Sequence, residues 1–286
     1  MIWQTTRFDI DLSRPQVMGI VNVTPDSFSD GGEHAAAAQA LAHCERLILD
    51  GADILDIGGE SSRPGAQAVD EAQELARVLP VLREALRLGV PVSVDTYKPV
   101  VMQAALDLGV DIINDIWALR WRGQGARQSG TQVLAAHPNC GVCLMHMHRD
   151  PQTMQVHPMT GDVVPQVLSF LELSAQTLIG LGVKKSRIVL DPGIGFGKTV
   201  AQNFALLSRQ SELLQAGFAL LVGWSRKSSL AGMVAGSDAS ISLSAQERLA
   251  PSLAAAVLAA ERGASVLRVH DVKETVQALR VLTAIR

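Results

Sequence analysis

Polar and charged side chains follow the short apolar runs of this chain of 286 residues. Three of them, Asp95, Asn114 and Asp191, offer carboxylate or amide oxygens, which suit a flat heterocycle with ring N–H and amino donors. Any one of them alone is more often a loop residue or a helix cap, so the prediction rests on their number. The full set of residues that follow apolar runs is Asn22, Ser62, Arg63, Asp95, Asn114, Asp191, Lys227, Arg268 and His270.

Positive charge is the second chemical feature of this set. Arg63, Arg268 and His270 can bind an anion, and the planar arginine group matches phosphate oxygens well. Together with the acceptor residues, they predict a ligand with a hydrogen-bonding ring at one end. The other end would carry a phosphate or a diphosphate.

Eight apolar runs would position these residues, and stretches with helical periodicity separate several of them. Leu75, Leu79, Leu82 and Leu86, for example, mark one face of such a helix. The alternation predicts a single-domain (β/α)8 barrel over residues 1–286, with a core of about 17–284, in which all strand ends meet at one mouth. A doubly wound open sheet is the alternative. The predicted strands are residues 17–23, 53–58, 92–94, 112–113, 142–145, 188–190, 219–222 and 265–269.

Some helix boundaries can also be predicted. Pro165 is expected to open one helix, and an alanine-rich helix is expected over roughly 245–262. Asp271 could cap the last helix, with Glu274 three positions later as in a capping box. Residues 120–141 are hard to interpret, although a helix near 132–136 is expected.

Composition limits the classes of partner. Lys and Arg number 25 against 28 for Asp and Glu, which gives no overall field for nucleic acid or an anionic membrane. The first residues lack a basic segment followed by an apolar one, and no apolar run approaches the length of a membrane span. Three cysteines suit a reducing compartment, so a cytoplasmic protein is expected.

Three stretches allow other interpretations. The segment 193–199, GIGFGKT, is close to a nucleotide-binding P-loop but lacks the required first glycine, so its glycines are expected to permit close backbone approach. Cys140, Cys143, His146 and His148 have a spacing that could bind zinc, but a buried strand there favours buried thiols. Lys227 could form a Schiff base, although its polar neighbours favour anion recognition.

Several motifs, in their order along the chain, resemble dihydropteroate synthase, a pterin-binding family of the bacterial folate pathway. The resemblance extends from about residue 17 to the end and is weak only in 120–141. The first two motifs are highly specific. The motifs are MGIVNVTPDSFSDGG, DIGGESSRPGA, SVDTYKP, IINDI, LMHM with PQTMQ, LDPGIGFGKT, GWSRKS and RVHDV.

This resemblance implies a reaction in which 4-aminobenzoate displaces diphosphate from (7,8-dihydropterin-6-yl)methyl diphosphate. The expected mechanism is dissociative and needs no protein nucleophile. It also implies Mg²⁺, with Asn22 as a protein ligand, and a homodimer. The residues implied to bind the pterin are Asp95, Asn114, Ile116, Asp191 and Lys227.

The resemblance assigns the remaining site residues in the same way. Those implied to bind diphosphate are Asn22, Ser62, Arg63, Arg268 and His270. Those implied to flank or bind 4-aminobenzoate are Phe28, Pro64, Phe196 and Ser228. Those implied to be catalytic are Asp30, Arg63, Lys227, Arg268 and His270. Ser62 stands where many relatives have threonine, which keeps the hydroxyl.

Two rival functions stay open at this point. A pterin-dependent methyltransferase is built on a similar barrel, but it would not need Arg63, Arg268 and His270 to hold a diphosphate. A catalytically silent paralogue would bind pterin without turnover. Such a protein should have lost Asn22, the residues of loop 24–31 or the RVH segment, and this chain retains all three.

Overall fold

The computed structural model describes residues 1–24, 32–61, 68–123, 128–154, 156–235 and 243–285. A short antiparallel hairpin, β1 (Ile2–Gln4) and β2 (Asp9–Asp11), comes first. Eight parallel strands follow and close into a barrel. They are β3 (Gln16–Asn22), β4 (Ile54–Gly58), β5 (Val92–Asp95), β6 (Ile112–Asp115), β7 (Gly141–Met145), β8 (Ile188–Asp191), β9 (Ala219–Val222) and β10 (Val266–Val269).

Closure of the sheet decides between the two predicted architectures. The last strand, β10, pairs in parallel with both β3 and β9, so the barrel strands form a ring rather than an open sheet. The predicted (β/α)8 barrel is therefore confirmed. The helices are α1 (Gly32–Leu49), α2 (Glu71–Ala85), α3 (Pro99–Asp107), α4 (Gly130–Ala136), α5 (Val163–Gly180), α6 (Val200–Ser208), α7 (Gln210–Leu213), α8 (Ser228–Ala235), α9 (Leu249–Glu261) and α10 (Val272–Ala284).

Strand alternation divides the buried side chains into two layers. On β4, Leu55 and Ile57 belong to the large core between strands and helices, whereas Ile54 belongs to a smaller core inside the barrel. The hairpin contributes Trp3 and Ile10 to that inner core. Because apolar side chains fill the amino-terminal end of the barrel, the inward polar residues lie towards its carboxyl-terminal mouth.

The hairpin was not predicted from the sequence. Each of its strands has three residues, which is too short for a periodic pattern to show. The Trp3 indole Nε1 donates to the carbonyl of Arg187 at 3.0 Å, and this bond ties the hairpin to the turn before β8.

Two helix boundaries need correction. The helix expected to open at Pro165 begins at Val163, because the Asp162 side chain accepts from the Val164 N–H at 3.2 Å. The helix expected from residue 245 begins at Leu249, after a turn in which Glu247 Oε2 accepts from the Ser244 N–H. The helix expected near 132–136 is confirmed as α4.

The predicted capping box at Asp271 was wrong. Asp271 does precede α10, but its side chain makes no cap hydrogen bond to that helix. Instead, its carboxylate binds the Arg226 guanidinium, with the Nη2–Oδ1 distance at 2.5 Å and the Nε–Oδ2 distance at 3.0 Å. An ion pair with a residue distant in sequence has replaced the local cap.

Among the residues that the structure describes, one helix, α5, is long and apolar enough by length and composition alone to cross a membrane, and a third of it is buried inside the protein. Its buried residues include Val164, Val167, Leu171 and Leu178, which recur at helical spacing. The helix contacts β7 and β8, so its apolar side has a place in the barrel core.

Candidate active site

A cavity of about 260 Å³ opens at the carboxyl-terminal end of the barrel strands. Every predicted site residue that the structure describes lines it. These residues are Asn22, Asp95, Asn114, Ile116, Asp191, Phe196, Lys227, Ser228, Arg268 and His270. The predicted residues Phe28, Asp30, Ser62, Arg63 and Pro64 lie outside the described residues.

Arg268 lies at the centre of the charged groups in this cavity. Its Nε lies 2.6 Å from Asp56 Oδ2, and its Nη2 lies 2.6 Å from Asp95 Oδ2. The Asn114 amide Nδ2 donates to the same oxygen of Asp56 at 3.0 Å. A residue predicted for diphosphate therefore contacts a residue predicted for pterin, which the sequence analysis did not foresee.

Burial changes the proton affinity of these groups. It raises the pKa of Asp95 to about 7, although Arg268 acts against the change. It also raises the pKa of Asp191 to about 6, against the Gly193 N–H and the charge of Lys227. For Arg268 itself, burial lowers the pKa, but the carboxylates of Asp56 and Asp95 outweigh burial and raise it. The arginine is therefore a permanent cation, whereas both aspartates can take up a proton near neutral pH.

The loop after β8 packs its backbone closely against the loop after β7. Gly193, Gly195 and Gly197 all have positive φ, at 67°, 83° and 70°. A Cβ atom on Gly193 would lie 1.9 Å from the carbonyl oxygen of His146. The predicted close backbone approach is confirmed for Gly193 and for Gly197, whose Cβ position lies 2.7 Å from the carbonyl oxygen of His148, whereas Gly195 faces the Lys227 side chain.

Lys198 follows these glycines at the position where a P-loop would carry its phosphate-binding lysine. It is buried, and its Nζ donates to the carbonyls of Gly193 at 2.8 Å and Phe196 at 3.1 Å. It also lies 3.0 Å from His146 Nδ1. Burial lowers the pKa of Lys198 to about 7, and burial with the charge of Lys198 lowers the pKa of His146 to about 2. This lysine therefore holds the loop that carries Phe196.

Substitution of Gly193 by alanine is expected to destabilise the fold by about 3 kcal/mol, because a positive φ and a backbone clash both oppose a Cβ atom. Gly182→Ala is the matched control. Gly182 has a φ of 92°, but nothing lies within 4 Å of its Cβ position, so the cost should be only about 1–2 kcal/mol. Urea unfolding of both variants measures the difference, and equal costs would show that the contact with His146 is not tight.

Aromatic and hydroxyl side chains occupy the other wall of the cavity. The Phe196 ring has Lys227 Nζ 4.3 Å from its centroid, so the residues predicted for aminobenzoate and pterin are adjacent. The Ser225 hydroxyl accepts from the His270 N–H at 3.1 Å and lies 3.0 Å from His270 Nδ1. The serine thus holds the imidazole ring of a predicted anion-binding residue.

A group of charged side chains around Lys98 was also missed by the sequence analysis. Lys98 is buried and binds both Glu60 and Glu74, and the Tyr97 hydroxyl donates to Glu60 Oε1 at 2.9 Å. Glu60 and the next residue, Ser61, line the cavity. Burial raises the pKa of Glu74, against the attraction of Lys98.

Asp56 is the most informative residue that the sequence analysis missed. The signal was present: in DILDIG, alternation places Asp56 on the same face as Ile54, which lies inside the barrel. The prediction considered only the residues that follow each strand, so it omitted charged residues within a strand. Arg248, Met145 and Met154 line the cavity and were not predicted either.

The cysteine interpretation is confirmed. Cys140 and Cys143 are free, buried thiols, and burial raises the pKa of the Cys140 thiol to about 12. His146, which shares their suggestive spacing, has its Nδ1 beside Lys198. Across the ranges that the structure describes, no three His, Cys, Asp or Glu side chains are grouped to hold a metal ion.

Comparison with known proteins agrees with this barrel and its mouth. Residues 18–270 match the family described as pterin binding enzymes, so the chain is a pterin-binding enzyme built on a (β/α)8 barrel. The dihydropteroate synthase of Neisseria meningitidis serogroup B is 47% identical over 289 residues, covering 99% of this chain and 97% of that protein. The chain therefore belongs to the dihydropteroate synthase family.

Solved structures support the same family. The Yersinia pestis dihydropteroate synthase, in a complex with a sulfonamide drug, has a TM-score of 0.89 and 44% identity. It covers 100% of this chain, which covers 99% of it. The Burkholderia cenocepacia enzyme, in a complex with 7,8-dihydropteroate, has a TM-score of 0.87 and 46% identity, with coverages of 100% and 96%. The resemblance inferred from the motifs is thereby confirmed.

Proposed function

We propose that this chain condenses (7,8-dihydropterin-6-yl)methyl diphosphate with 4-aminobenzoate to give 7,8-dihydropteroate and diphosphate. The observation that carries the proposal is a single cavity that holds Asp95, Asn114 and Asp191 together with Arg268 and His270. The first group suits the donors of a pterin edge, and the second suits an anion. A relative of the same fold binds the expected product, 7,8-dihydropteroate.

The reaction exchanges one bond at the pterin methylene carbon. The C–O bond breaks and its electron pair leaves with diphosphate, while the electron-rich dihydropterin stabilises the methylene cation. The aromatic amine then forms the new C–N bond and loses one proton. Catalysis comes from stabilising the leaving group and from orienting the amine, and Arg268, His270 and Arg63 supply positive charge for the first task.

Recognition of 4-aminobenzoate is assigned to the loop after β8 and the start of α8. Phe196 offers a buried aromatic ring, and Ser228 is the first residue of α8. A hydroxyl and backbone N–H groups at a helix start can bind the carboxylate. We further assign Phe28 and Pro64 to the same ring, and Asp30 to catalysis.

A magnesium ion fits the donor chemistry of the mouth. Asn22 ends β3 and lines the cavity, so it can offer one amide oxygen. Mg²⁺ usually keeps several waters and uses one or two protein ligands with substrate phosphates, and one amide oxygen therefore suits an ion carried by diphosphate. The ion would neutralise charge on the leaving group, with Ser62 and Arg63 as further diphosphate ligands.

The reaction should weaken in acid. Asp191 and Asp95 can accept hydrogen bonds from the ligand through both carboxyl oxygens only when they are ionised, and burial raises their pKa values to about 6 and about 7. As the pH falls through these values, each carboxylate takes up a proton and loses an acceptor, so kcat/KM for the pterin substrate should fall. It should be level above about pH 8, where both carboxylates are ionised. Steady-state rates between pH 5 and 9 measure this profile, and a flat profile from pH 5 to 8 would contradict it.

We also propose a cytoplasmic homodimer. The three cysteines are free, which suits a reducing compartment. Leu258 on α9 and Val281 on α10 leave apolar side chains exposed on helices outside the barrel. Sedimentation equilibrium should give twice the chain mass of 30.5 kDa, and a monomer at micromolar concentration would refute the dimer.

Product identity tests the proposed function. The purified chain, Mg²⁺, the pterin diphosphate and 4-aminobenzoate should give a chromatographic peak that matches 7,8-dihydropteroate. Omission of either organic substrate should abolish that peak. Pterin binding without product would sink the synthase proposal and favour a silent pterin-binding protein.

A further inference from the structure

We infer that Asp56 is a positioning residue that sets both the place of Arg268 and the polarity of Asn114, an inference that rests on the proposed function. Asp56 is fully buried in the middle of β4. Its register partners are Ile20 on β3 and Ser93 on β5. The rule that site residues follow the ends of strands does not identify Asp56, because this residue lies within a strand.

One oxygen of Asp56 joins side chains from two distant strands. Oδ2 accepts from Arg268 Nε on β10 at 2.6 Å and from Asn114 Nδ2 on β6 at 3.0 Å. Since the barrel order is β10-β3-β4-β5-β6, these strands lie two places away on either side of β4. Asp56 therefore connects the residue proposed for diphosphate with a residue proposed for pterin.

The hydrogen bond to Asp56 determines which end of the Asn114 amide is the donor and which is the acceptor. A carboxylate can only accept, so Asn114 must direct its NH₂ group towards Asp56. Its oxygen is then the acceptor end of the amide, as the carboxylates of Asp95 and Asp191 are acceptors. Asp56 thereby keeps the ring-binding part of the site rich in acceptors, which selects a heterocycle edge rich in donors.

The bond to Arg268 has a separate consequence. Asp95 holds Nη2 of the guanidinium, but Asp95 is also proposed to bind the pterin. Asp56 binds a different nitrogen, Nε, so it still holds the guanidinium when Asp95 binds the ligand instead of Arg268. The remaining N–H groups of Arg268 can then meet an anion without loss of its anchor.

The unsatisfied oxygen of Asp56 argues against a role in stability alone. Within the described part of the chain, Oδ1 is buried and has no hydrogen-bond partner. A buried polar atom without a partner costs free energy, and apolar side chains of similar size can stabilise a core as well as a buried ion pair does. Retention of a carboxylate here is better explained by what it holds.

Asp56→Asn tests the inference, because it keeps the shape but removes the charge and allows the Asn114 amide to turn. We expect kcat/KM for the pterin diphosphate to fall by about 30-fold, from the loss of a charged hydrogen bond. The dissociation constant of inorganic pyrophosphate should rise by about tenfold, while KM for 4-aminobenzoate stays within twofold of the wild type. Ser93→Ala is the matched control, since Ser93 is the buried register partner of Asp56 and its hydroxyl has no partner among the described residues.

A double-mutant cycle separates positioning from a structural effect. In an Arg268→Ala background, Asp56→Asn should no longer weaken pyrophosphate binding, because the residue through which it acts is absent. Equal effects in both backgrounds would overturn the inference, as would wild-type kinetics for Asp56→Asn. If Asp56→Asn does not fold, the same measurements are made on Asp56→Ser.

The experiments distinguish failure of the proposed function from failure of the positioning role of Asp56. If the wild type binds pterin and pyrophosphate but makes no dihydropteroate, the function fails. The comparison of pyrophosphate affinities between wild type and Asp56→Asn still tests the positioning role in that case.

Discussion

Arg268→Ala is expected to lower kcat/KM for the pterin diphosphate by about 10³-fold, the largest loss at any described residue. The guanidinium is the cation that the carboxylates of Asp56 and Asp95 hold at the mouth, at 2.6 Å in each case. Its removal takes away charge where diphosphate leaves. It also leaves Asp56 and Asp95 close together without a cation, which disfavours a second anion. Initial rates at saturating 4-aminobenzoate measure the loss.

Two variants serve as controls for this loss. Arg14→Ala removes an exposed arginine that pairs with Asp53 before β4, so it should leave the rate unchanged. Arg268→Lys keeps the charge but cannot bind Asp56 and Asp95 through separate nitrogens, so its activity should lie between those of wild type and alanine variant. An alanine variant with more than a tenth of wild-type activity would remove Arg268 from the anion site.

Asp191→Asn is expected to weaken pterin binding by about 100-fold. Asp191 is buried at the end of β8, and its Oδ1 accepts from the Gly193 N–H at 2.7 Å. An asparagine oxygen can keep that bond, so the loop should survive. The ligand would lose a charged acceptor and meet an amide N–H instead. Fluorescence titration with a pterin that lacks the diphosphate measures the affinity.

Asp111→Asn is the matched control for this change. Asp111 is also a buried aspartate that accepts a backbone N–H, from Val92 at 2.9 Å. It lies directly before β6, at the opposite end of the barrel from the mouth. The variant should lose stability without a change in pterin affinity. Equal affinities for wild type and Asp191→Asn would contradict the assignment of Asp191 to the pterin.

The fold was predictable because the barrel strands are mostly apolar and alternate with helices, and β3, β5, β6 and β8 each end in a polar residue. Residues 92–94 before Asp95 and 188–190 before Asp191 show this pattern, and both aspartates line the cavity. Parallel strands bring their carboxyl ends to one mouth, so linear order predicted a shared site. The roles of these residues stay predictions until variants are measured.

The features that were missed depend on contacts between distant residues. Asp271 and Glu274 have the spacing of a capping box, but in the fold Arg226 is close enough to bind the Asp271 carboxylate. Asp56 is linked to Arg268 across 212 positions of sequence, and no local pattern reports that contact. The hairpin of β1 and β2 owes its place to burial of Trp3 beneath the barrel, which periodicity cannot show in strands of three residues.

Diphosphate release from the pterin substrate is the most direct test of one composite site at the mouth. Release should depend on Mg²⁺ and 4-aminobenzoate, with one dihydropteroate formed for each diphosphate, and Arg268→Ala should lower kcat/KM for both products together by about 10³-fold. Pterin binding with no diphosphate release under any condition would contradict the account.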